Sequence, residues 1–233
     1  MLKINNNFAS PSFDLRPEDA IIDTIIIHHT KISNIKEALD SYLDKELKLS
    51  AHYLLSKQGE IFSLVEDHLR AWHAGVSYWR GREKINNFSI GIELDNNGEE
   101  EFSNELMQAL IELCHYLIKK HPIDQFNIIG HSDIAPGRKD DPGNLFNWQL
   151  LADNNIGIMP SNVDEVKVPE IRVIQKMLSQ YGYKIEITGI KDEQTLEVMK
   201  AFNEHFNQKC LREWDERSQG CLEVLIIGCF QAL

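Results

Sequence analysis

Residues 130–143 read G-H-S-D-I-A-P-G-R-K-D-D-P-G, which places one histidine, one lysine and three aspartates in a single short run. Glycine and proline interrupt it throughout, so the whole stretch is expected to be a loop. His131 offers an imidazole nitrogen and Asp141 a carboxylate oxygen, both ordinary ligands of zinc. A zinc site that hydrolyses needs three protein ligands and an open position for water, so one ligand is still owed. His28 is the candidate, because it closes the apolar run 21–27 and so stands at the mouth of a buried strand.

With zinc held by His28, His131 and Asp141, water is the nucleophile, and a base must take its proton and return it to a leaving amine. Glu93 suits that role. In the run 89–94, S-I-G-I-E-L, Ile90, Ile92 and Leu94 share one face of a strand, which turns Glu93 to the other face with Gly91 and Ser89. Lys139, just before Asp141 in sequence, carries a positive charge able to hold the oxyanion that forms when a carbonyl is attacked. Each residue alone has a plainer role. A strand-end histidine is most often a satisfied packing residue, as His29 is read here, and Glu93 or Lys139 alone would be a solvated charge. The combination points to hydrolysis.

The elements that position these groups follow from the apolar pattern. Residues 23–27 form a buried strand, since Ile25, Ile26 and Ile27 are β-branched and continuous. Asn34 with Glu37 opens a helix whose apolar face is Ile35, Leu39, Tyr42, Leu43 and Leu47. Residues 51–55 and 61–65 read as a hairpin. Residues 103–120 read as a long helix capped by Ser103, with Leu106, Leu110, Leu113 and Leu117 in one stripe. Residues 126–129 are the strand leading into the ligand-rich loop, and 144–152 a closing helical turn. Strands and helices alternate, which predicts an α/β fold with a central mixed β-sheet flanked by helices.

After that domain the pattern changes. Pro160 and Pro169 bracket a polar connector, and three helical patterns follow: one from Pro169 stopped by Gly182, one over 192–206, and one over 222–230. The expected organisation is an irregular arm over 1–20, a catalytic domain over 21–159, a linker over 160–168 and a small three-helix domain over 169–233. A chain of 233 residues is long enough for a core domain of about 150 residues and a small second module.

With 36 acidic against 24 basic side chains the net charge is -12, which opposes docking on a phosphate backbone, so nucleic acid is excluded as a partner. The cysteines Cys114, Cys210, Cys221 and Cys229 match no common zinc spacing and are expected to be reduced, mostly buried thiols. No secretory signal is visible at the start. The apolar run 222–230 falls short of the roughly 20 residues of a membrane span.

Five motifs in order resemble one family: I-I-I-H-H-T at 25–30, S-A-H-Y-L at 50–54, A-W-H-A-G at 71–75, S-I-G-I-E-L at 89–94 and the run 130–143. Together they resemble the zinc N-acetylmuramoyl-L-alanine amidases of the AmpD and AmiD type, distantly similar to phage amidase lysozymes and peptidoglycan-recognition proteins. The resemblance implies zinc on His28, His131 and Asp141, Glu93 as general base and Lys139 as transition-state stabiliser. It implies substrate contacts from Trp72, His73, Ala74, Tyr53 and Arg138. Residues 173–183 with T-G-I-K-D-E-Q-T from Thr188 resemble the three-helix peptidoglycan-binding domain, which makes the exported, two-domain AmiD branch the nearer match.

The resemblance implies cleavage of the amide between the lactyl group of N-acetylmuramic acid and L-alanine, with peptidoglycan or muropeptides as partners and a monomeric chain. Two other readings stay open. One is a peptidoglycan-recognition protein without turnover, against which Glu93, Lys139 and Asp141 argue because binding alone needs no general base. The other is a zinc peptidase cutting within the stem peptide. A wall-binding module favours the periplasm, whereas free cysteines would suit a cytosol.

Overall fold

The computed structural model describes residues 2–32, 34–209 and 212–231. Its strands are β1 (Ile4–Asn5), β2 (Phe13–Leu15), β3 (Thr24–His29), β4 (Tyr53–Leu55), β5 (Ile61–Ser63), β6 (Leu69–Ala71), β7 (Tyr78–Trp79), β8 (Arg82–Glu83), β9 (Ser89–Leu94) and β10 (Ile128–Gly130). Its helices are α1 (Ile35–Leu43), α2 (Asn104–Lys120), α3 (His131–Ile134), α4 (Trp148–Asp153), α5 (Ile171–Tyr181), α6 (Glu193–Phe202) and α7 (Glu216–Gln231). The main sheet runs β1-β5-β4-β9-β3-β10 and is mixed: β4 and β5 are antiparallel, the other neighbours parallel. This is the expected α/β architecture.

Strand alternation divides the sheet into two buried faces. Ile25 and Ile27 of β3 join Ile90, Ile92 and Leu94 of β9 against the stripe Leu106, Leu110, Leu113 and Leu117 of α2. That helix starts at Ser103, whose side chain accepts from Leu106 N, and carries Lys119 and Lys120 in its last turn; both ends are matched to the helix dipole. Ile26 of β3 and Ile129 of β10 point the other way, into a second core with Trp79, Tyr181, Tyr183, Phe202 and Phe206. Each fully buried isoleucine or phenylalanine of these faces contributes about 1.5–3 kcal/mol.

The second core is shared between the sheet and the C-terminal helices. The Trp79 ring meets Tyr183 edge-on at 5.2 Å and Tyr181 at 5.9 Å, and Arg80 N donates to Gly182 O at 3.0 Å. Within the helical part, fully buried Gln175 donates to Thr188 Oγ1, Ile190 O and Thr195 Oγ1 and accepts from Gly189 N. One glutamine thus ties the T-G-I-K-D-E-Q-T stretch onto α5.

Several boundaries differ from the sequence expectation. The stretch 130–143 is not wholly a loop: its first residues wind into α3, because the Asp133 side chain accepts from Gly130 N at 2.8 Å and opens a helical turn. The N-terminal arm is not irregular, since β1 adds to the sheet edge beside β5 and β2 pairs with β6. α1 stops at Leu43, and Leu47 lies in a separate 3-10 turn capped by Asp44. Phe126 belongs to a 3-10 turn capped by Asp124, so β10 begins only at Ile128. α6 ends at Phe202 and passes into a π-turn over Asn203–Asn207. Cys114 and Cys221 are buried free thiols and Cys229 is half-buried; Cys210 lies outside the described residues. Among the described residues no helix is long and apolar enough to cross a membrane.

Candidate active site

The carboxyl ends of three adjacent parallel strands converge on one cleft. In register, His28 of β3 pairs with Glu93 of β9, and Ile27 pairs with Gly130, the last residue of β10. His131 follows immediately as the first residue of α3. Open α/β sheets present their ligands at strand carboxyl ends, where the backbone stops and side chains take over.

Asp141 is returned to the same point by the loop. Ser132 N donates to Asp141 O at 2.9 Å, and a Cβ on Gly130 would stand 2.8 Å from Pro142 Cδ. Only glycine at 130 lets the returning chain pass this close.

His28 Nδ1, His131 Nδ1 and Asp141 Oδ2 lie 2.8–3.1 Å from one another, and all three residues are buried. His131 Nε2 donates to the Ala74 carbonyl at 3.1 Å, so its proton sits on the far nitrogen and Nδ1 is a lone pair. Lone pairs pressed together out of water repel unless a cation lies among them. The donor set, two imidazoles and one carboxylate, is that of a divalent metal site. The four-coordinate spacing of such ligands is about 3.3 Å, a few tenths of an ångström wider than the observed distances.

Glu93 stands beside this cluster in a cleft of about 310 Å³, lined also by His29, Tyr42, Trp72, His73, Arg138 and Lys139. Burial, reinforced by the charge of Asp141, pushes its carboxyl up to about 8, against opposing contributions from the Tyr42 hydroxyl and Lys139. Its Oε2 has no hydrogen-bond partner among the described residues. A buried acceptor with one free oxygen facing a cleft is what a general base requires. Burial, then the neighbouring His131, holds His28 down at about 4.

The family model for N-acetylmuramoyl-L-alanine amidase matches residues 18–144, a span that contains all four of these residues. The chain belongs to that amidase family. A model described as a putative peptidoglycan binding domain matches residues 167–209. Among relatives of the amidase, N-acetylmuramoyl-L-alanine amidase AmiD of Escherichia coli is 34% identical, over 88% of this chain and 82% of that protein. The 1,6-anhydro-N-acetylmuramyl-L-alanine amidase AmpD of Haemophilus influenzae is 37% identical over 60% of this chain and 86% of its own. The structure of E. coli AmiD with anhydro-N-acetylmuramic acid-L-Ala-D-gamma-Glu-L-Lys superposes with a TM-score of 0.81 at 32% identity, covering 91% of this chain and 92% of that one.

The structure distributes the remaining candidates of this amidase unevenly. Lys139 is exposed at the cleft, and its Nζ enters no hydrogen bond or ion pair among the described residues. Trp72 lines the cleft wall. Arg138 reaches it too, but its Nη2 is spent on the carbonyls of Ala74 and Val76, at 2.6 and 2.7 Å. Ala74 is fully buried, and its carbonyl orients His131. His73 is half-buried in the cleft lining and is bonded to His28.

Tyr53 is a correction. It pairs with Ile92, not Glu93, so it shares the α2 face of the sheet, and its hydroxyl donates to Asp67 Oδ1 at 2.7 Å away from the cleft. Strand parity, not motif membership, decides which face a side chain reaches. Tyr42 is the residue that sequence reasoning assigned only to packing: from α1 it lines the cleft with Glu93, and its hydroxyl works against the burial that raises that carboxyl. Its place on the helix stripe carried no sign of that second role.

Proposed function

We propose that the chain hydrolyses the amide between the lactyl carbonyl of N-acetylmuramic acid and the L-alanine amine of muropeptides or peptidoglycan, with one zinc on His28, His131 and Asp141. The observation that carries this reading is the register pair His28–Glu93, which sets a carboxyl with an unpartnered oxygen beside a three-ligand cluster. The E. coli AmiD structure holds a ligand containing this bond, and this chain matches it over nine-tenths of both lengths.

Held by His28, His131 and Asp141, a zinc ion would supply Lewis acidity toward a water or carbonyl oxygen. Glu93 takes the proton of the attacking water and returns it to the departing alanine amine. Its raised affinity for a proton, set by burial, suits both halves of that exchange. Lys139 holds the developing charge on the lactyl oxygen, since its ammonium is otherwise unengaged. Trp72 offers an indole wall to the sugar or peptide. The peptidoglycan-binding match over 167–209 favours work on wall material in the cell envelope.

The test is mass spectrometry of the products from a defined muramyl peptide, with chelator and then zinc added back. Release of a peptide with a free L-alanine amine, lost on chelation and restored by zinc, supports the reading. Binding without cleavage would make the chain a recognition protein, and a cut between stem residues would make it a peptidase.

A further inference from the structure

Behind the ligand cluster a file of hydrogen bonds runs from His28 into the sheet, and its direction is fixed from the far end. The Ile85 carbonyl can only accept, so the Ser89 hydroxyl, 2.8 Å away, donates to it. Ser89 Oγ is then an acceptor for His73 Nε2 at 3.2 Å, which places the proton of a neutral His73 ring on Nε2. Among the described residues that ring is hydrogen-bonded only to Ser89 and His28, and no carboxylate reaches it to hold a second proton, so the imidazole is neutral. His73 Nδ1 is therefore a lone pair, and it accepts from His28 Nε2 at 3.0 Å. The proton of His28 thus sits on Nε2, leaving Nδ1 bare toward Asp141 and His131.

The fold makes room for this arrangement. A Cβ on Gly91 would stand 2.4 Å from His73 Cγ, so the ring reaches His28 only because position 91 carries no side chain. Gly91 and Glu93 lie on the same strand face, and one run therefore supplies both the carboxyl and the slot for the ring. Ligating histidines ordinarily give their second N–H to a carboxylate, a carbonyl or water. His131 does so, through Ala74. His28 uses another imidazole.

We infer that His73 is a positioning residue of the metal site: by accepting the Nε2 proton of His28 it fixes the tautomer and ring orientation in which His28 presents Nδ1 to the ion. The inference rests on the zinc reading above. It gives His73 a task that needs no contact with substrate.

The test compares His73→Asn with His73→Leu in the full chain. The two side chains have nearly the same shape, but Asn Oδ1 occupies the place of Nδ1 and accepts, whereas Leu cannot. Zinc affinity is read by competition with a chromophoric chelator, and the His28 tautomer by ¹⁵N–¹H spectra of the metal-free, histidine-labelled protein. Outer partners of this kind are worth about 10–100-fold in metal affinity. The expected result is a loss of that size in His73→Leu, near-parental affinity in His73→Asn, and a His28 Nε2–H signal that is kept in Asn and redistributed to Nδ1–H in Leu.

Equal zinc affinity in both variants with an unchanged His28 tautomer would overturn the inference. If the parent chain takes up no zinc, the metal reading fails separately, and the tautomer spectra still decide what His73 does to His28. Should His73→Leu fail to fold, Ser89→Ala, which removes the acceptor for His73 Nε2–H, provides the same spectral comparison, and an unaltered His28 tautomer there counts against the inference.

Discussion

The Tyr183 hydroxyl donates to Asp133 Oδ1 at 2.5 Å, joining the C-terminal helical part to the turn that begins with His131. His205 Nδ1 reaches the other carboxyl oxygen at 2.8 Å, and its ring is stacked between Trp148 and Phe206 at 3.7 and 3.8 Å. Asp133 is fully enclosed, so each lost partner leaves a buried polar atom unmatched. Tyr183→Phe is expected to cost about 2 kcal/mol, read as a lower midpoint in urea unfolding with an unchanged slope. An unchanged midpoint would show that the contact contributes nothing.

The helical part is also expected to be inseparable from the sheet. Ile26, Trp79 and Ile129 are buried against Tyr181, Tyr183, Phe202 and Phe206, so a chain ending at residue 160 would expose an apolar face of the sheet. Such a chain should bind a hydrophobic dye and lack a cooperative thermal transition. A sharp transition near that of the full chain would contradict the shared core.

Glu93 should weaken the metal-free fold in a pH-dependent way. Its carboxyl is raised from 4.5 to about 8, so the folded state holds a proton that the unfolded chain releases. The cost is absent below about pH 4.5, grows with rising pH and levels off above about pH 8. Glu93→Gln is expected to melt several degrees above the metal-free parent at pH 8 and level with it near pH 5, while losing all turnover. A difference independent of pH would remove the burial argument.

The residues of the candidate metal cluster were legible in the sequence because each closes a distinctive run: His28 ends an isoleucine strand, and His131 and Asp141 punctuate a glycine- and proline-broken stretch. Glu93 was legible from alternation alone. Tyr53 was misplaced because a three-residue strand entered from a loop gives no phase for its alternation. His73 lies in an aromatic stretch without period, and its partner is 45 residues away. Asp133 meets Tyr183 and His205 across 50 and 72 residues, and nothing local signals those contacts. The β1 strand forms because an edge was available, which the sequence I-N cannot announce.

A second polar knot lies on the α2 face. Asp67 accepts from Tyr53 Oη, Lys120 Nζ and His121 Nε2 at 2.7, 2.7 and 2.9 Å. Burial alone would raise its pKa, but the bonds from His121, Lys120 and Tyr53 outweigh it and hold the carboxyl at about 2. The stabilisation is therefore present above about pH 4 and lost as pH falls toward 2. Asp67→Asn should lose on the order of 2 kcal/mol at pH 7, and the gap to the parent should narrow at pH 3 in urea titrations. A gap that stays constant would assign the loss to packing.

The proposed reaction has Glu93 and the His28–His131–Asp141 site direct water onto the lactyl carbonyl. It is tested most directly by digesting an anhydro-muramyl tripeptide in ¹⁸O-water and weighing both products. One ¹⁸O atom is expected in the carboxylate of the muramic acid product and none in the peptide released with a free L-alanine amine. Label in a carboxylate of the stem peptide, or an intact substrate after prolonged incubation with the zinc-loaded chain, would contradict it.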